Sequence, residues 1–128
     1  MEHAVQSFAI VHLVTIGLSH VLQPRAWVTF FLWLRERGEA GVFVTAFLSL
    51  GMGSIIVAFH NVWSGIPMVL TLFGWAQVLK ALIYFLSPSF GLRKMHLVSE
   101  ERAKLFVAPG VFMLALASLL VYHLLTGP

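Results

Sequence analysis

Residues Val57–Pro88 read VAFHNVWSGIPMVLTLFGWAQVLKALIYFLSP. An apolar segment runs into NVWSG at Asn61–Gly65, and a second apolar segment leaves it. A connection this short permits only a tight antiparallel hairpin, and Pro67 suits the first turn of the helix that follows, where its missing N–H costs no hydrogen bond. Two neighbouring helices are therefore expected, each apolar over most of its length.

Working outward from this hairpin gives four apolar segments, about Val5–Leu22, Val42–Asn61, Ile66–Leu86 and Leu105–Leu125. Each approaches the roughly 20 residues that cross a hydrocarbon core. The chain has 128 residues, 59% hydrophobic and 10% charged, whereas about a quarter of a soluble domain is charged. One soluble core of this size could not hide four such segments. The expected fold class is all-α, an integral membrane four-helix bundle forming a single domain over residues 1–128. The opening MEHAVQSF lacks a positive region before its apolar run, so the first segment is expected to be retained as a span.

All Lys and Arg residues except Lys80 lie in two connections: Arg25, Arg35 and Arg37 after the first span, and Arg93, Lys94, Arg102 and Lys104 after the third. Four spans place these connections on one side, and the excess of positive charge predicts that side to be cytoplasmic. Both termini and the Asn61–Gly65 turn are then periplasmic, in what reads as a bacterial inner membrane. The net charge of +3 is distributed as topology signals and lipid-phosphate contacts, so no nucleic-acid partner is expected.

Within the first connection, PRAWVTFFLWLRER (Pro24–Arg37) repeats Trp27, Phe30, Phe31 and Leu34 at helical spacing. It is too short to span and predicts an interfacial helix; the alternatives are a belt of Trp and Arg anchors or a re-entrant segment. In the second connection Ser99 is placed to cap a helix, with Glu100 and Glu101 in its first turn. Helix four is then expected to start before its apolar part, with Pro109 and Gly110 allowing a bend. Thr45, Ser49 and Gly53, widened by Gly51 and Ser54, make a small-residue face suited to close helix packing or to a dimer seam.

The absence of cysteine removes disulfides, thiolate metal sites and thiol redox chemistry. No phosphate-cradling glycine loop, glycine-framed nucleophilic serine or pair of membrane carboxylates is present, so no catalytic activity is expected of the chain alone. The polar residues within the spans form two layers at about 1.5 Å per residue along each helix. In the outer layer His60 and His123 lie at matched depth, with His3 and Glu2 near the same surface. Two histidines on different helices suit the axial positions of a haem b, and three suit a metal ion. His12 lies near the midplane and is expected to face the bundle interior or a cavity.

The inner layer holds Ser19 and His20 on helix one and Gln77, Lys80 and Tyr84 on helix three. The last three are spaced three and four apart and form one polar stripe. All five glutamates lie outside the apolar spans and there is no aspartate, so Lys80 lacks a carboxylate at its own depth. It is expected to snorkel, lose its proton or hold an anionic or carbonyl-bearing ligand. In the last case Lys80 and Gln77 donate to a quinone carbonyl or lipid headgroup, and His20 faces them.

The stretch GLSHVLQPRAWVTFF, with Gly17, His20 and Pro24 ahead of Trp27, Phe30 and Phe31, resembles the DoxX-like group of small four-helix membrane proteins. The likeness rests on the first helix and the segment after it. It implies a four-helix fold and association with membrane oxidoreductase systems, sometimes as a small subunit of a quinone-linked complex. Only His20 and Pro24 carry over. Three functions follow as expectations. The first is an accessory or anchor subunit of a quinone-linked redox complex with a lipid or quinone pocket at His20, Gln77, Lys80 and Tyr84. The second is a protein binding haem b through His60, His123 and His12, or a metal through His60, His123 and His3. The third is a homo-oligomeric channel or small-solute carrier using the Thr45, Ser49, Gly53 face.

Overall fold

The computed structural model describes residues 1–127. These are all-helical, with no strand: α1 (Glu2–Leu22), α2 (Pro24–Glu36), α3 (Glu39–Phe59), α4 (Pro67–Leu86), α5 (Pro88–Met95), a 3-10 segment (Glu100–Phe106) and α6 (Val107–Thr126). Four helices are long and apolar enough to cross a membrane: α1, α3, α4, and α6 with its 3-10 lead-in. Their outward surfaces remain apolar, with Phe47, Leu48, Leu72, Leu79 and Leu125 all exposed, the pattern of helices hydrophobic all round.

Local chemistry sets the element starts. Pro24, Pro67 and Pro88 each open a helix, where proline is pre-set for helical φ and its missing donor has no intrahelical partner to lose. In the α3–α4 turn Gly65 adopts φ 71°, a backbone state only glycine reaches readily. The expected tight hairpin is thus present, and the expected helix over Pro24–Arg37 is α2, which buries Val28 and Leu34.

The chain packs as two pairs, α3 along α4 and α1 along α6, with far fewer contacts between the pairs. Both pairs cross at glycine. A Cβ on Gly53 would lie 2.8 Å from the Gly74 carbonyl oxygen and 2.9 Å from the Val78 nitrogen, so backbone itself fills that space. A Cβ on Gly110 would lie 2.8 Å from the Gly17 carbonyl oxygen and 2.7 Å from the His20 Cβ. Thr45 and Ser49, on the same face as Gly53, are buried too. This face is therefore occupied within the chain, which is how small-residue stripes bring helices close.

One apolar cluster joins the two pairs, and a second packs α2 and α5 against α3 and α4. At the end carrying the termini, Val5, Ala9 and Leu13 of α1 meet Met52 and Ile56 of α3, Leu70 of α4, and Leu116, Ala117 and Leu120 of α6. At the opposite, basic end Leu34, Val42 and Met95 are buried under Phe30, Phe31, Tyr84 and Leu92.

The connection after α4 differs from expectation. Pro88 opens a short helix, α5, and Ser99 precedes a 3-10 segment and makes no side-chain cap. Arg102 leaves helical geometry at φ −103°, ψ 17°, so the break falls before Pro109. Pro109 itself sits in the first turn of α6, where a helix has no use for the N–H it lacks. Gly110 serves the crossing with α1 instead of a bend.

Candidate functional site

Between the two apolar clusters, α4 and α6 make few contacts, and a cavity of about 610 Å³ lies there. This falls within the ~300–1,000 Å³ range of small-molecule sites. Phe73 of α4 and Phe112 and Met113 of α6 form apolar walls; Phe31 and Phe106 line it towards the basic end. His20, Gln77 and Lys80, three of the four residues expected to form a pocket, all line this cavity. Tyr84 does not. Its ring packs in the basic-end cluster, and the Lys80 ammonium lies 5.7 Å from its centroid, a cation–π approach one turn nearer the basic end.

His20 is the most constrained of the three. Its Nδ1 lies 2.9 Å from the Ile16 carbonyl oxygen, and a carbonyl can only accept, so Nδ1 carries the proton. In the neutral ring Nε2 is then a bare acceptor. One ring face stacks on Trp27 at 4.0 Å and 22°, and Phe106 lies 6.1 Å away. Trp27 is in turn fixed by its indole N–H, which donates to Ser19 Oγ at 2.9 Å. Ser19 is thereby committed to α2, and the short helix positions the cavity's histidine.

Gln77 is half-buried and Lys80 exposed at the cavity's margin. The site thus offers an ammonium and an amide on α4 and an imidazole acceptor on α1, beneath aromatic walls open to one side. Such an arrangement can orient a polar headgroup while its apolar remainder lies along α4 and α6.

At the termini end the geometry departs from a haem or metal site. His60, wholly buried at the end of α3, lies with Nδ1 3.0 Å from Thr71 Oγ1 and Nε2 3.0 Å from Gln6 Nε2. The Thr71 hydroxyl donates to the Val62 carbonyl at 2.8 Å, so it accepts from His60 Nδ1–H. Nε2 then accepts from the Gln6 amide, which leaves Gln6 Oε1 buried without a partner. Both His60 nitrogens are engaged inside the chain and neither is open to an iron or zinc. Among the described residues no three His, Cys, Asp or Glu side chains converge on a point that could hold a metal ion, so His60, His123 and His3 form no such group.

Of the two placements expected for His12, the bundle interior is not the one found: it is exposed on the outside of α1 beside Phe8, in an open groove with Val11, Thr15 and Ile16. The buried face of that helix is Val5, Gln6, Ala9, Leu13, Gly17 and His20, and one residue's step of about 100° carries His12 off it. The same face explains what the sequence reading missed. Gln6 lies on a three-and-four-residue stripe with Ala9 and Leu13, the available sign that a polar residue near the terminus turns inward. Thr71 and Trp27 carried no comparable local signal for their hydrogen-bonding roles.

Compared with protein-family models, curated proteins and solved structures, the chain finds no match.

Proposed function

We propose that this is a small multi-pass protein of the bacterial inner membrane, with both termini periplasmic, that serves as an accessory or anchor subunit of a quinone-linked redox assembly. It would hold a quinone or lipid headgroup in the cavity between α4 and α6. The observation that carries this reading is the convergence of His20, Gln77 and Lys80 on one apolar cavity. Polar and ionisable groups at membrane depth are costly and tend to mark ligand paths; here they line a cavity whose remaining walls are mainly aromatic and aliphatic. The positive connections support the orientation, and the short loops, which leave no room for a soluble catalytic domain, support an accessory role.

The test is native mass spectrometry of the full chain extracted from its membrane, with lipid and quinone identified from the same sample. Co-purification of a partner subunit together with a quinone or lipid that Lys80→Met and Gln77→Leu release is the expected result. A stable monomer carrying neither would end this reading.

A further inference from the structure

The His20 tautomer makes the cavity selective in a way that its shape alone does not. The Nδ1–H bond to Ile16 at 2.9 Å leaves Nε2 as a lone-pair acceptor with no partner in the chain, on a residue that is 6% exposed. Stacking on Trp27 at 4.0 Å, with Trp27 anchored to Ser19, opposes a ring flip that would put carbon atoms where the two nitrogens lie. Gln77 and Lys80, whose side chains carry donors, line the same cavity from α4. A bound headgroup is therefore asked for an acceptor on the α4 side and a hydroxyl donor on the α1 side.

We propose that the cavity takes an uncharged amphiphile with a hydroxyl donor beside a carbonyl, ether or second hydroxyl oxygen, and that among quinone-type ligands it prefers the reduced, hydroxyl-bearing form. This rests on reading the cavity as a ligand site. An oxidised quinone carries only acceptors, so one carbonyl would meet the His20 lone pair without a proton between them. A quinol satisfies both sides, because each hydroxyl can donate to Nε2 or accept from Lys80 or Gln77. A diacylglycerol offers the same code through its free hydroxyl and ester carbonyls. Phosphodiester and carboxylate headgroups are all acceptors at neutral pH and meet the same lone pair. Lys80 is the charged residue that shares the cavity with His20; the side chains packed about the ring are Trp27 and Phe106.

The test uses the full chain in phosphatidylcholine nanodiscs, titrated with a short-tailed benzoquinone, its quinol, a short-chain diacylglycerol and a short-chain phosphatidylmethanol, an anionic phosphodiester with no hydroxyl. One hydrogen bond to an acceptor in the cavity wall sets the expected preference for quinol over quinone at about tenfold. His20→Phe should bring that ratio close to one, while Lys80→Met should weaken both forms alike. Because His20→Phe could disturb the crossing at Gly110, the second readout is the His20 Nε2 nitrogen resonance of the unaltered protein. Quinol should move it as a lone pair accepts a hydrogen bond, and quinone should not. Diacylglycerol that binds more tightly than quinol and moves the same resonance supports the hydroxyl code and makes a lipid the source. Equal or tighter binding of the oxidised quinone overturns the inference while leaving the cavity reading in place. So does a phosphatidylmethanol that displaces quinol. Binding of none of the four probes removes both.

Discussion

Replacing His60 with phenylalanine isolates the hydrogen-bonded chain that joins three helices at the termini end. His60→Phe keeps an aromatic ring in a fully buried site but removes the 3.0 Å bonds to Gln6 and Thr71. Thr71 retains its donation to Val62, so its loss is small. Gln6 fares worse, because its Oε1 is already unpartnered and its amide nitrogen then loses its bond to His60. Leaving a buried polar group unpaired costs about 1–3 kcal/mol, whereas a hydrogen bond between membrane helices averages about 0.6 kcal/mol. Together these give an expected loss of about 2–4 kcal/mol. Gln6→Leu alone, which strands only the His60 Nε2 acceptor, should cost about 1–2 kcal/mol. The double variant should be more stable than the sum predicts by about 1–2 kcal/mol, because neither orphan remains. Reversible unfolding in mixed detergent supplies the four free energies of the cycle. If the two single effects add to within about 0.5 kcal/mol, Gln6 and His60 are not coupled and the network as described is refuted.

Gly51 and Gly53 of α3 give a matched pair. Gly53→Ala would set a methyl against the α4 backbone and should cost about 1–3 kcal/mol, whereas Gly51→Ala, with nothing within 4 Å of its new Cβ, should be neutral or slightly stabilising; equal effects in the same unfolding assay would contradict the packing. Trp27→Phe keeps a ring over His20 but loses the bond to Ser19, so it should cost about 1 kcal/mol and broaden the His20 ring resonances; unchanged spectra would show that Trp27 does not hold that ring. His12→Leu replaces an exposed polar side chain on α1 and should leave stability unchanged or raised, since an imidazole facing hydrocarbon is unfavourable. A loss above about 1 kcal/mol would mean that His12 has a partner, in this chain or another.

What was legible in the sequence was local. The α3–α4 hairpin follows from the short NVWSG connection and Pro67, and α2 from Pro24 and the spacing of Trp27, Phe31 and Leu34. The polar stripe on α4 was visible because Gln77 and Lys80 stand out in an apolar helix, and a cavity does line up with them. The segment between α4 and α6 was less legible. Its short helix and 3-10 turn depend on contacts with α2, such as Arg35 Nη1 donating to the Val98 carbonyl at 3.3 Å, which no local pattern announces.

The sequence by itself determined α2 and the four segments that are long and apolar enough to cross a membrane, because length, composition and turn chemistry are properties of the chain in order. Only the tertiary structure decided how each helix is rotated. α1, α3 and α6 are apolar nearly all round, so no polar face tells which side turns inward, and each residue changes the direction of its side chain by about 100°. That rotation put Gln6 and His20 inside, sent His12 outside, closed both His60 nitrogens with Gln6 and Thr71, and set the Thr45, Ser49, Gly53 face against α4. It also left α4 and α6 apart at the depth of His20, Gln77 and Lys80, because the glycine crossings draw each pair together more closely than the two pairs approach each other.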